Sequence, residues 1–591
     1  MALFTPSQSP AVVVKEVDAT GGVPNVQTST GAMVGNFRWG PVGQRTLVSN
    51  EAGLIETFST PDTSSTIDFH NASMFLRYSN SLQVVRQTTS AAKTAHSTTF
   101  NSADRGPVVS APGYTTPDVD NKAAFRATLS ALDSDGHTFI GRYPGALGNS
   151  LQVSMCPPNG TAFNNWSYKS SFDAAPGSSS IDSALGGTNT EIHLAVIDKN
   201  GEFTGTKGTI LETYPFVSTA TNSKNADGST NYAKDIVNER SEYIYFVGFD
   251  SDYVEHGLAG TAMTAVQRTY NAGISAATYY NFDSGVNSAT LGTAEIALGH
   301  DLFEDEEAVE VDFLIAPGMS SRADQTTVTN DLVANAIARK DCVVVSSPAR
   351  ADVVNVTSEA TATTNIETTA ATFTKSSYLV MDGNYLKVYD KFNDQFIQVP
   401  AAPSTAGLMA ETDRVSAPWF SPAGTRRGQY LGVTGIDYNP NKTRRDTLYK
   451  AGVNPVVNIS GSGVCLFGDK TALQRPSAFD RINVRRLFLT LERAIAQAAK
   501  NVMFEFNDEF TRAEFVNVIE PVLRDVKARR GITDFRIIAD ETVNTSEVID
   551  RNEFIANIFI KPARSINYVT LNFVAVRTGV DFTEVVGSAG V

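Results

Sequence analysis

Val484, Leu487, Phe488, Leu491, Ala494, Ile495 and Ala498 recur at the i, i+3, i+4, i+7 spacing that lines one face of an α-helix. Asn483 fits its N-cap. Burying the five larger side chains is worth roughly 8 to 15 kcal/mol gross, most of it offset by ordering entropy. A second helix is predicted to begin at Thr511, with Glu514 completing a capping box. Phe515, Val518, Ile519, Val522, Leu523 and Val526 face inward in this reading, and Gly531 suits the stop. Pro521 lies inside the pattern and predicts a kink or a break there. Strands are expected over 535–538, 554–561 and 566–576, the last apolar on both faces. Residues 478–577 therefore read as a compact α+β domain.

Both ends of the chain read as arms. Pro6 and Pro10 precede the strand-like run Ala11-Val-Val-Val-Lys-Glu-Val17, and Gly21-Gly22 then releases the chain. Seven extended residues reach about 23 Å, and the arm over 1–22 spans about 60 to 70 Å, enough to leave its own subunit. An edge strand of its own domain is the alternative at this point. At the other end, Gly579 and Gly587 bracket Val580-Asp-Phe-Thr-Glu-Val-Val586 in residues 578–591. A short strand after a finished one suggests pairing elsewhere.

Between the arms, residues from about 90 to 350 are rich in Thr, Ser, Asn and Gly. Asp133-Ser-Asp-Gly136, Pro157-Pro158-Asn-Gly160 and Asp198-Lys-Asn-Gly201 are turn signals. Ile192-His-Leu-Ala-Val-Ile197 and Tyr243-Ile-Tyr-Phe-Val247 read as strands. Val309-Glu-Val-Asp-Phe-Leu-Ile315, a helix over 329–339 and the short buried strand Cys342-Val-Val-Val345 follow. The expectation is an α+β multidomain chain: a middle domain over 23–88 and 351–477, interrupted at 89–350 by two β-rich inserted outer domains.

At 591 residues the chain is too long for one ordinary core. Its formal charge of −15 argues against a nucleic-acid grip. No basic-then-apolar secretory signal is seen at the start, and no apolar run approaches the roughly 20 residues needed to span a bilayer. Cys156, Cys342 and Cys465 are odd in number and far apart, so they are expected to stay reduced and buried.

Tests for chemistry fail on specific residues. Gly463-Val-Cys-Leu-Phe-Gly468 resembles a phosphate loop, but Asp469 intervenes before Lys470, displacing the ammonium and placing a carboxylate beside the site. A calcium loop from Asp133 and Asp135 would end on Pro144 instead of a bidentate Glu. The acidic run Glu304-Asp-Glu-Glu307 reads as a solvated face. The histidines His70, His96, His137, His193, His256 and His300 lack metal-ligand spacing, and no Gly-x-Ser-x-Gly elbow occurs. No cofactor, metal or enzymatic activity is expected.

Segments taken in order resemble the tail-sheath family of contractile phages, bacteriocins and related injection machines. Gly35-Asn-Phe-Arg-Trp-Gly-Pro41, Asn50-Glu51, Phe58, Phe75-Leu-Arg-Tyr78, Leu82-Gln-Val-Val-Arg86 and Tyr143-Pro-Gly-Ala-Leu-Gly-Asn-Ser150 are similar to its earlier segments. Val399-Pro-Ala-Ala-Pro-Ser-Thr-Ala-Gly407 with Asp413, and Pro418-Trp419 through Pro422-Ala-Gly424, resemble its most recognisable stretch. Leu448 through Gly452-Val-Asn-Pro455, Phe467-Gly-Asp-Lys-Thr471 and Ile482-Asn-Val-Arg-Arg-Leu487 follow. The ordered match is strongest over 399–577, and the layout looks most like sheaths of large myovirus tails.

The resemblance implies a virion protein, assembled in the host cytoplasm, that polymerises as stacked six-fold rings around a tail tube and contracts. It implies a homo-oligomer with tail tube protein, baseplate and tail terminator as partners, and no direct nucleic acid or membrane insertion. It implies arm strands that add to neighbouring sheets, here through Val12, Val13, Val14 and Val17 and through Val580, Phe582, Val585 and Val586. Arg524, Lys527, Arg529 and Arg530 at the end of the second helix are candidates to face an acidic tube, or else a solvated helix end suited to the dipole. A tail-associated carbohydrate-binding or depolymerase protein is the alternative function. It predicts a repeat period or paired carboxylates, and the sequence shows neither.

Overall fold

The computed structural model describes residues 29–101, 117–134, 138–184, 186–248 and 276–566. They fall into two compact units, one ending at Gln497 and one beginning at Ala498.

The first unit is built on a seven-stranded sheet. Its order is Val453–Asn454, Leu379–Asp382, Val343–Ser346, Phe313–Ile315, Gly31–Gly35, Leu82–Arg86 and Arg45–Val48. All neighbours are parallel except the last pair. Parallel strands need helical crossovers, which bury both faces, and the side chains alternate accordingly. Leu314, Val344 and Met381 pack with helices Thr293–Asp301, Arg322–Arg339 and Glu359–Thr372 on one side. Phe313, Ile315, Val343, Val345 and Val380 pack on the other side with Thr66–Leu76, Ala402–Val415 and the start of Ile482–Lys500. The mixed helix-and-sheet content is as expected, and this layer is an α/β sandwich. Gly407 shows why the segment Val399 to Gly407 is made of small residues. A Cβ there would lie 2.3 Å from the Tyr78 ring, so helix Ala402–Val415 can approach only through glycine.

The boundary expected at residue 350 is wrong. Phe313–Ile315 and Val343–Ser346 lie inside the central sheet, so the insertion ends between Asp283 and Thr293. A short run of buried apolar residues reads the same in an insertion as in a framework, which is why composition misplaced it. The described residues of the insertion form one antiparallel seven-stranded sheet, where two modules were expected. Its order is Thr209–Ser218, Glu191–Asp198, Leu151–Cys156, Thr278–Asp283, Thr94–Asn101, Phe139–Pro144 and Ile244–Phe246. The turn at Asp198 forms as read: its carboxylate accepts from the amides of Gly201, Glu202, Phe203 and Thr204 at 2.8–3.0 Å. Pro157-Pro158-Asn159-Gly160 instead opens the short helix Gly160–Asn165, with Asn159 as its cap. Asp133 and Ser134 end the helix Lys122–Ser134, and the rest of that turn signal lies outside the described residues.

Two bonds between Lys93 and Val286, both 3.0 Å, close a neck where the chain enters and leaves the insertion. Arg86 is fully buried beside it and donates to the carbonyls of Phe37, Gly40 and Pro144 at 2.6–2.8 Å. Trp39 stands edge-on to Tyr143 and Phe203 at 5.4 and 5.2 Å. The insertion is thereby seated on the loops of the central sheet.

Candidate assembly interface

The second unit carries helix Glu509–Ala528 and the antiparallel strands Ile532–Ile538 and Asn557–Pro562. The helix starts two residues before the expected Thr511. Asp508 is its cap, accepting from the Thr511 amide at 2.8 Å, and Glu514 takes no part. A kink or a break was predicted at Pro521, and the helix continues through it without a break. The carbonyl that proline leaves without a donor belongs to Asn517, and both residues sit on the exposed face, where water satisfies it. Phe515, Ile519, Leu523 and Val526 are buried as read, whereas Val518 and Val522 are half-buried. The helix stops with Arg530 in the left-handed region (φ 67°) and the Gly531 amide on the Val526 carbonyl at 2.8 Å.

Arg524, Lys527, Arg529 and Arg530 are all exposed on this helix end. Three of them face a carboxylate of their own copy: Arg524 with Glu520 at 2.8 Å, Lys527 with Asp534 at 3.0 Å, and Arg529 with Asp525 at 3.6 Å. The Lys527 ammonium holds the Asp534 carboxyl below its ordinary range. Such exposed pairs are screened by solvent and exchange readily for other partners. The patch is therefore positive by less than four charges.

Among the described residues this sheet has two strands, each with one edge that no described strand covers. Phe559 on the second strand and Ile566 beyond its end are 56% and 84% exposed. The arm residues Val12, Val13, Val14, Val17, Val580, Phe582, Val585 and Val586 lie outside the described residues, as do 567–576 of the strand expected from Ile566.

The long helix Ile482–Lys500 begins one residue before the predicted cap Asn483. Val484, Leu487, Leu491, Ala494 and Ala498 are buried as the periodicity demands. Its second buried face was not read from the pattern, because its residues are arginines. Arg486 forks onto Asp413, both oxygens at 2.5 Å, donates to the Met409 carbonyl at 3.0 Å, and lies 4.7 Å over Phe313. Arg493 reaches Asp312 at 2.7 Å and the carbonyls of Val311 and Asp341. Arg485 is sandwiched between the rings of Tyr378 and Phe479 at 4.3 and 4.2 Å. Three cations on a helix that is otherwise apolar on one side were the available signal, but the carboxylates that hold Arg486 and Arg493 lie 73 and 181 residues away.

The phosphate-loop look-alike is a structural turn. Asp469 pairs with Arg481 at 2.9 Å, and Lys470 sits 4.0 Å over Tyr449 with its ammonium on that residue's carbonyl. The Lys470 amide donates to Asn454 Oδ1 at 2.8 Å and so is not free to hold a phosphate, and a Cβ on Gly468 would lie 2.7 Å from the same oxygen. Among the described residues no group of three or more His, Cys, Asp or Glu is placed to hold a metal, and no helix is long and apolar enough to cross a membrane.

Comparison with known proteins matches two family models, one after the other along the chain: phage tail sheath protein central domain over residues 289–472, and phage tail sheath C-terminal domain over 474–575. The tail sheath protein of Enterobacteria phage T4 is 33% identical, covering 98% of this chain and 99% of its own. That of Vibrio phage KVP40 is 32% identical with the same coverage of each chain. The crystal structure of a sheath tail protein from Listeria innocua shares the fold at a TM-score of 0.51 and 11% identity, covering 91% of this chain and 93% of its own. A third of the residues shared across nearly the whole length, with both family models in sequence, places this chain in the phage tail sheath protein family.

Proposed function

We propose that the chain is the structural subunit of a contractile tail sheath, polymerising as stacked six-fold rings around the tail tube and acting through its contacts, without catalysis. The observation that carries this reading is the near-complete match to tail sheath proteins, 98% of the chain at about one third identity. In the virion its partners are further copies of itself, the tail tube, the baseplate and the tail terminator.

The arms supply continuity between copies. Residues 1–22 and 578–591 add strands to the two-stranded sheet of neighbouring copies. Backbone bonds give affinity there, and alternating side chains such as Val12, Val14, Val580 and Phe582 give register. Five backbone bonds contribute about 2.5 to 7 kcal/mol net, and covering the edges prevents uncontrolled pairing. Arg524, Lys527, Arg529 and Arg530 face the tube, trading their own carboxylates for those of the tube protein. Contraction exchanges contacts between units while the arms stay engaged, so that an extended lattice held by a barrier relaxes without falling apart.

Electron microscopy of the purified full-length chain is the test. Striated hollow tubes are expected, and deletion of either arm is expected to abolish them. Normal tubes from an arm-deleted chain would remove the arms from the mechanism. Lys527→Glu with Arg529→Glu is expected to weaken assembly on co-expressed tube protein, and unchanged assembly would refute the tube contact.

A further inference from the structure

The chain carries 63 acidic and 48 basic residues, yet residues 424–486 hold eleven Lys and Arg against four Asp and no Glu. Arg485 and Arg486 are buried as described, and Arg481 is paired. The others gather on one surface around helix Lys442–Lys450. Arg426, Lys442, Lys450 and Arg475 are exposed, and Arg445 is half-buried with its guanidinium 5.5 Å over the Phe467 ring. The patch is contiguous. The Leu466 amide bonds the Gly428 carbonyl at 2.8 Å, which brings the segment of Arg426 beside Phe467. Gln474 Nε2 lies 3.5 Å from the Ala451 carbonyl, which brings Arg475 to the helix end. Arg444 is taken by Glu359, but Arg426, Lys442, Arg445, Lys450 and Arg475 have no ion pair among the described residues.

The complementary surface lies on the same unit, farther along the strand order of the sheet. Asp301, Glu304, Asp305, Glu306, Glu307 and Glu310 are all exposed, and none is in an ion pair among the described residues. Arg339 holds their backbone by donating to the carbonyls of Phe303 and Val309, so the carboxylates are presented outward on a fixed loop. That loop follows helix Thr293–Asp301, which packs on strands Gly31–Gly35 and Leu82–Arg86. Helix Lys442–Lys450 packs on Val453–Asn454, the opposite edge strand. Four strand spacings separate the two supports, about 19 Å. One rigid sheet cannot bring the two patches together within a copy.

We propose that the basic surface of Arg426, Lys442, Arg445, Lys450 and Arg475, centred on Phe467, receives the acidic segment 301–310 of a second copy of this chain. The contact is head-to-tail, which generates a closed ring or an open helix according to the rotation between copies, and only the open helix leaves one unmatched patch of each sign at its ends. It rests on the sheath reading and adds a salt-sensitive contact on the larger unit, separate from the arms. Opposite potentials also orient incoming copies and exclude the reversed approach, in which like charges meet.

The experiment uses the full-length chain and three variants: Lys442→Glu with Arg445→Glu, Glu306→Lys with Glu307→Lys, and all four together. Sedimentation gives the lowest concentration that polymerises, and circular dichroism checks that each variant is folded. Each double reversal is expected to raise that concentration about tenfold or more, and the fourfold variant to return it to within about threefold of wild type. The wild type is expected to need more protein as salt rises, and the doubles to lose much of that dependence. Doubles that polymerise like wild type, or a fourfold variant no better than either double, would overturn the contact while leaving the sheath reading intact. So would reversals that impair only assembly on tube protein, which would assign the surface to the tube. A wild-type chain that forms no polymer with or without tube protein would refute the sheath reading itself.

Discussion

Replacing Arg486 by methionine tests whether the long helix is fastened to the sheet by charge. The Arg486 and Asp413 side chains are each 6% exposed. Methionine keeps much of the length and apolar bulk but withdraws the guanidinium from the Asp413 carboxylate, the Met409 carbonyl and the Phe313 ring. Breaking a buried pair from one side costs about 3 to 5 kcal/mol, because the remaining charge stays desolvated. The three tryptophans, Trp39, Trp166 and Trp419, all lie in the unit that ends at Gln497, so fluorescence in urea reports on that unit alone. With a slope of about 3 kcal/mol/M, the midpoint should fall by about 1 to 1.7 M. Adding Asp413→Leu removes the second charge, and the double variant should recover to within about 1 kcal/mol of wild type or exceed it. A single variant with an unshifted midpoint, or a double variant as unstable as the single, would refute the electrostatic account of the anchor.

Two further outcomes follow from buried titratable groups. His300 is fully buried with neither ring nitrogen bonded among the described residues, and burial lowers its pKa to about 3. The unfolded chain takes up this proton below about 6.5 and the folded chain does not, so stability is lost as pH falls from 6.5 toward 3. His300→Leu should therefore gain on wild type by about 2 kcal/mol between pH 7 and pH 5, read from urea midpoints at the two pH values; equal shifts would show that His300 is not buried neutral. Cys156, Cys342 and Cys465 are buried free thiols, and burial pushes Cys156 up to about 12. A thiol-reactive disulfide reagent should find no reactive group in the native chain and three after denaturation. Rapid native labelling would contradict the packing.

What the sequence disclosed, it disclosed through periodicity. The helix face from Val484 to Ala498 and the inward residues of the following helix are visible because water and core select side chains at a fixed spacing. The turn at Asp198 was equally legible, since its chemistry is local. Long-range choices were not. Nothing near Val343–Val345 says which sheet they join, and nothing near Arg486 names Asp413 as its partner. Pro521 does not break its helix for the opposite reason: it lies on the exposed face, where solvent reaches the carbonyl it leaves without a donor. For the candidate interface, the basic cluster at Arg524 to Arg530 was correctly placed at a helix end, but its neutralising carboxylates became apparent only from Glu520 and Asp534 in space. The exposed cations around Lys442 do not stand out as a patch because they are scattered over fifty residues of sequence.

The neck between Lys93 and Val286 has an evolutionary consequence. Because the chain leaves and returns through one bonded pair of residues, everything beyond it is a graft on a stem of fixed width. Lengthening, shortening or replacing that graft changes no strand of the parallel sheet. The match to the tail sheath central-domain model begins at residue 289, just past the stem. Lineages can thus redraw the grafted sheet while the framework beneath it stays in register, and divergence should accumulate on one side of those two hydrogen bonds.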